Sequence, residues 1–224
     1  MKRYKPINCD LYDQYEIYAM SKQWLHIQLV NGQSMVNQLK TLETIEKIEY
    51  GLFMRGQRIR LDEISDLVLL TPEGSLLGHI VDKLCYNLWA NQSIMKLIKS
   101  DEKPNNRDVA LMSHIINALE IWNKRILKKT CYSGVWQVHT IDTWEDLLQR
   151  AQEDSFCALD EYRLDHQFNY HDTKGEPLSA YVGATLTHLI NHSTYHRGQI
   201  IINRQDEQRP TLSTDYFRYR QLMK

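Results

Sequence analysis

Hydrophobic runs long enough to cross a bilayer are missing, because no apolar stretch approaches the ~18 residues required. No signal-peptide pattern opens the chain. Four cysteines (Cys9, Cys85, Cys131, Cys157) are widely spaced, and no CxxC pair occurs. These absences lead to the expectation of a cytoplasmic protein with free thiols and no membrane partner. An excess of one charge is missing too. Lys and Arg total 27 against 28 Asp and Glu, a net charge of −1, so a broad electrostatic grip on nucleic acid is not expected. There is no Gly-rich phosphate loop, internal repeat or low-complexity segment. What is present is 224 residues, 42% hydrophobic and 25% charged, a globular composition with room for one large domain or two small ones. Thirteen tyrosines and five tryptophans supply aromatic mass of the kind found in cores and interfaces.

The first seventy residues read as a small α+β unit. Residues 9–20 suit a short acidic helix capped by Asn8 or Asp10, with Asp13 and Glu16 near its start. The period then changes to two. Leu25, Ile27 and Leu29 alternate with polar neighbours ahead of Asn31-Gly32, a hairpin signal. Ile48, Tyr50, Leu52 and Met54 alternate next, followed by a turn at Arg55-Gly56, by Ile59 and Leu61, and by an apolar strand over 67–70. The pattern predicts a strongly bent antiparallel sheet, barrel or sandwich, with one helix. Tyr4, Pro6, Ile7, Asn8, Cys9, Asp10, Tyr12 and Asp13, with Arg60, Leu61, Asp62 and Ile64, resemble the opening and closing motifs of the Rho-binding antiterminator (Rof) family. The resemblance implies an Sm-like β-barrel that binds termination factor Rho, with Asp10, Asp13 and Glu16 as partner-binding carboxylates. Nine basic residues balance nine acidic ones over residues 1–70. The bland reading of the three carboxylates is a solvated helix face.

Thr71-Pro72-Glu73-Gly74 breaks the strand pattern, and the period becomes 3.6 directly after it. We expect domains over 1–70 and 75–224. Four amphipathic helices follow, over about 75–99, 108–128, 143–162 and 178–204, with a tail helix over 214–222. Residues 129–141 are irregular, and 166–177 suggest a short hairpin or loop turning at Lys174-Gly175. The second domain is therefore expected to be a four-helix bundle.

The last long helix carries His188, His192 and His196 at steps of four. That spacing stacks side chains on one face. Two such imidazoles can hold one divalent ion if a facing helix supplies a third, although a helical histidine pair also arises from ordinary packing. Residues 191–200, NHSTYHRGQI, resemble the DinB/YfiT-like metalloprotein family, as do SHIINALEIWNKRI around His114, YNLWANQSI from Tyr86 and the tail PTLSTDYFRY. By that resemblance His114, His192 and His196 are the metal ligands. Neutral imidazoles without a nearby thiolate suit zinc or nickel, with iron as the alternative. Helical drift makes it hard for three consecutive i+4 histidines to reach one ion. His188 therefore remains open as a fourth ligand, a group bonded to a ligand, a proton relay or a packed side chain, and it is the only catalytic base suggested. Arg197 is expected to pair with a carboxylate on a neighbouring helix. Gly198 is expected to allow close helix approach. Glu120 faces either the site or solvent.

The resemblance implies a homodimer and a metal-dependent hydrolase or thiol S-transferase acting on a small molecule or thiol. The alternative is a regulatory protein that contacts Rho through its first domain, with the bundle as sensor or scaffold. A third reading makes the first domain an appended packing module.

Overall fold

A computed structural model of the chain describes residues 4–172 and 174–223. Its contacts separate two compact units, Met1–Val81 with Leu159–Glu161, and Asp82–Ala158 with Tyr162–Lys224. Among the described residues no helix is long and apolar enough to cross a membrane.

The first unit begins with helix α1 (Cys9–Ser21), whose Asn8 side chain accepts a hydrogen bond from the Leu11 amide. That bond satisfies one of the amides a helix start leaves unpaired. Strands β1 (Trp24–Leu29), β2 (Ser34–Ile45), β3 (Ile48–Phe53), β4 (Arg58–Arg60) and β5 (Ile64–Leu69) form one antiparallel sheet in the order β4-β3-β2-β1-β5. Gly32 and Gly56 sit at φ 86° and 85° in two of the tight turns, where a side chain would be strained. Register shifts at Gln28/Leu29 and Leu39/Thr41 bend the sheet. Tyr15 from α1 joins Leu25, Ile27, Met35, Leu39, Phe53, Leu61 and Ile64 in the core. The longest strand, β2, is not marked by alternation in the sequence. It buries Met35, Val36 and Asn37 in succession, which hides the two-residue period.

The second unit takes most of α2 (Leu76–Lys99) and α4 (Trp144–Glu161) and all of α3 (Asn106–Ile126) and α5 (Val182–Asp206), with a short tail helix α6 (Tyr216–Leu222). Asn105 caps α3 by accepting from the Arg107 and Asp108 amides. The last long helix begins later than its sequence pattern suggests. Residues 177–181 instead form strand β7 (Pro177–Tyr181), paired with β6 (Gln167–His171). Pairing with β6 outweighs the helical period, and Tyr181 remains extended at φ −97° and ψ 143°.

Two buried arginines fix α5. The fully buried Arg204 meets Asp101 at 2.7 Å and Asp108 at 3.4 Å, while Asn203 donates to Asp108 at 2.8 Å. Arg197 does not meet the expected carboxylate. Its guanidinium donates to Asn87 at 2.8 Å, Asn91 at 2.7 Å, the Tyr86 hydroxyl at 3.3 Å and Thr194 at 2.8 Å. Neutral oxygens solvate the cation, and it ties α5 to α2. Gly198 is exposed, and a Cβ there would meet nothing within 4 Å, so it marks no close helix approach. Together the arginines set the rotation and height of α5 against α2 and the start of α3. That is what aims its histidines.

Candidate metal centre

His114 lies midway along α3, and His192 and His196 lie one turn apart on α5. Their ligand atoms fall within 4.8 Å of one another. The Nε2 atoms converge: His192 lies 3.2 Å from His114 and 3.2 Å from His196. Two nitrogens bound tetrahedrally to one ion at about 2.0–2.1 Å stand about 3.3 Å apart.

The remaining hydrogen bonds show which lone pairs point inward. A carbonyl oxygen only accepts, so His114 Nδ1 carries the proton it donates to Val135 O at 2.8 Å. His196 Nδ1 likewise donates to Gln199 Oε1 at 2.9 Å. Neutral His114 and His196 therefore both present a bare Nε2 to the same point, and a single proton on His192 Nε2 can serve only one of them. Surplus acceptors facing each other are unfavourable unless a cation fills the space between them. This donor set fits a divalent ion. His192 Nδ1 is buried and has no partner among the described residues, so packing holds that ring.

Electrostatics favour the neutral forms of His192 and His196. Burial, then the imidazoles of His196 and His114, pull the His192 pKa down from 6.5 to about 4. Burial also lowers that of His196, partly offset by its bond to Gln199. Neutral imidazole is the metal-binding form.

Residues 133–139 close one side. The Trp136 ring stacks on His114 at 3.9 Å and 8° between planes, while remaining 60% exposed. Buried Asn117, one turn past His114 (i+3), pins the segment by donating to Gln137 O at 2.7 Å and accepting from His139 Nε2 at 2.5 Å. The His139 amide donates to Ser113 at 3.1 Å, and Glu120 accepts from Ser133 at 2.6 Å. Glu120 thus anchors this segment. Sequence reasoning misses Trp136, the Val135 carbonyl, Asn117 and Gln199. Asn117 shares the His114 side of α3, but nothing in an irregular segment marks which carbonyl it will bring.

His188 is exposed and lies outside the converging set. Its ring stands 5.7 Å from that of His192 and 5.7 Å from that of Trp122. Asp10, Asp13 and Glu16 are exposed on α1 in the first unit. His166 stacks on Tyr162 at 4.6 Å, away from the triad.

Two family models match the chain. The model described as modulator of Rho-dependent transcription termination (ROF) matches residues 6–81, and that of the DinB family matches residues 81–221. No curated protein matches it.

Proposed function

The chain belongs to the DinB family, and from that premise we propose that His114, His192 and His196 bind one divalent metal ion in a metal-dependent hydrolase or thiol S-transferase. The observation carrying this reading is the convergence of the three Nε2 atoms, two of them with lone pairs turned inward by their Nδ1 bonds. Zinc or nickel suits three imidazoles, with iron as the alternative. When bound, such an ion supplies a Lewis acid and lowers the pKa of a water or thiol at an open position.

The chain's own residues do the rest. The Val135 carbonyl fixes the tautomer of His114, and Trp136 shields one face of that ring from water. Exposed His188, its ring 5.7 Å from that of His192, would accept a proton from a group held at the triad. On this reading the protein works as a cytoplasmic homodimer on a small molecule or thiol. The test is turnover by metal-replete protein on hydrolysis and thiol-conjugation panels. Activity is expected to vanish in His114→Ala and fall by about 10²–10⁴ in His188→Ala. Turnover that survives His114→Ala contradicts the proposal.

A second reading concerns the first unit, similar to the Rho-termination modulator model. It has α1 contacting Rho through Asp10, Asp13 and Glu16, all exposed along the helix. Pull-down of Rho should weaken on Asp10→Lys and Asp13→Lys. Capture indifferent to both removes this reading.

A further inference from the structure

Helices α3 and α5 run antiparallel along a shared seam. Asp108 meets Arg204, His114 meets His196 and His192, and Trp122 meets His188. Beyond Trp122 the seam ends in a cation. The Arg125 guanidinium carbon lies 4.5 Å from the centre of the Trp122 ring and 4.9 Å from that of Tyr170 on β6. Trp122 and Tyr170 meet edge to face at 5.0 Å.

Among the described residues this arginine is held mainly by its faces, which leaves most of its hydrogen-bonding edge open. One terminal nitrogen donates to His171 O at 3.2 Å, and among the described residues its other donors have no partner. Neighbouring Lys124 is committed to Asp154 at 2.5 Å. A flat guanidinium with its freedom already removed by stacking is prearranged for a carboxylate, which takes two parallel N–H bonds. The path back to the triad is lined by chemistry-bearing side chains, since exposed His188 touches both Trp122 and His192. His192 is also the least buried of the three triad residues. Trp122 lies about 12 Å along α3 from His114, at about 1.5 Å per residue. Helical side chains lean toward the N-terminus, which carries Arg125 back over Trp122.

We propose that the substrate site runs from the histidine triad along His188 and Trp122 to Arg125, and that it takes an elongated acid whose carboxylate rests on Arg125. This rests on the metal-site reading for the reacting end. It commits the other end to a carboxylate-bearing small molecule roughly 12 Å long.

The experiment uses the full chain loaded with cobalt(II) and follows the thiolate-to-cobalt absorption band. The probes are mercaptooctanoate and mercaptooctanol, beside the short pair mercaptopropionate and mercaptopropanol. The long acid should bind about tenfold tighter than the long alcohol, the scale of a charge-assisted bidentate contact. Arg125→Gln should erase that preference, and unchanged binding of mercaptopropanol, too short to reach Arg125, reports an intact fold. Arg125→Lys, which keeps the charge without the flat fork, should retain only part of it. The short pair should not respond to either change. Equal affinity of long acid and alcohol in the unaltered protein, or a preference that survives Arg125→Gln, overturns the Arg125 assignment alone. Cobalt uptake that is absent, or unchanged in His192→Ala, overturns the metal reading and this inference with it.

Discussion

At the residue scale, the aim of the triad comes from atoms outside it. His114 is aimed by the Val135 carbonyl, and that carbonyl is held in place through Asn117. Asn117→Ala should therefore weaken metal affinity by about 10–100-fold with all three ligands intact, the range seen when groups behind a ligand are removed. Competition with a chromophoric chelator measures it, and unchanged affinity contradicts the role given to residues 133–139. Protonation provides a second check. The His192 pKa is lowered from 6.5 to about 4 in the metal-free protein, so protons compete poorly for that ring in mild acid. Metal should stay bound as pH falls through 6.5 and leave as pH approaches 4. Release centred at the ordinary imidazole value would show that burial does not protect the ring. The converging histidines were legible in the sequence, because His192 and His196 carry helical spacing and a distinctive context. Trp136 was not legible. An aromatic residue in an aperiodic segment has no pattern that assigns it to His114.

At the element scale, α5 must be held to within a fraction of a turn for its histidines to face α3. Arg204 does this through carboxylates from the α2–α3 connection and the first turn of α3. Asp108 is fully buried, and burial raises its pKa despite the arginine beside it. Arg204→Met removes the cation and strands that carboxylate, so unfolding free energy should fall by about 3–5 kcal/mol. Chemical denaturation reads the change, and a loss under about 1 kcal/mol would mean that other contacts orient α5. Gly198 offers the opposite case. It is exposed within the same helix, with open space where an alanine methyl would stand. Gly198→Ala should stabilise the protein by about 0.4–1 kcal/mol through lower unfolded-state entropy, seen as a higher Tm. Destabilisation would restore the close-approach role that its sequence context suggested. Long helices were legible because the 3.6-residue period repeats over many turns. The start of α5 and the course of β2 were less so. Both depend on a partner strand, β6 in one case and neighbours on both sides in the other, and strand pairing is not written in a local window.

At the scale of the whole molecule, the chain joins a five-stranded sheet capped by a helix to a helical bundle, and each unit has its own core. The change of hydrophobic period near residue 74 marks where strands give way to helices, whereas the compact units divide after Val81 and the first takes in Leu159–Glu161. The histidine triad lies wholly in the second unit, with all three rings on α3 and α5. Metal binding at the triad is tested most directly by the metal content per chain of protein purified without added metal, compared with His192→Ala purified in parallel. Roughly one divalent ion per chain in the unaltered protein and almost none in the variant is the predicted result. An unaltered protein free of metal, or a variant that holds as much as its parent, would contradict it.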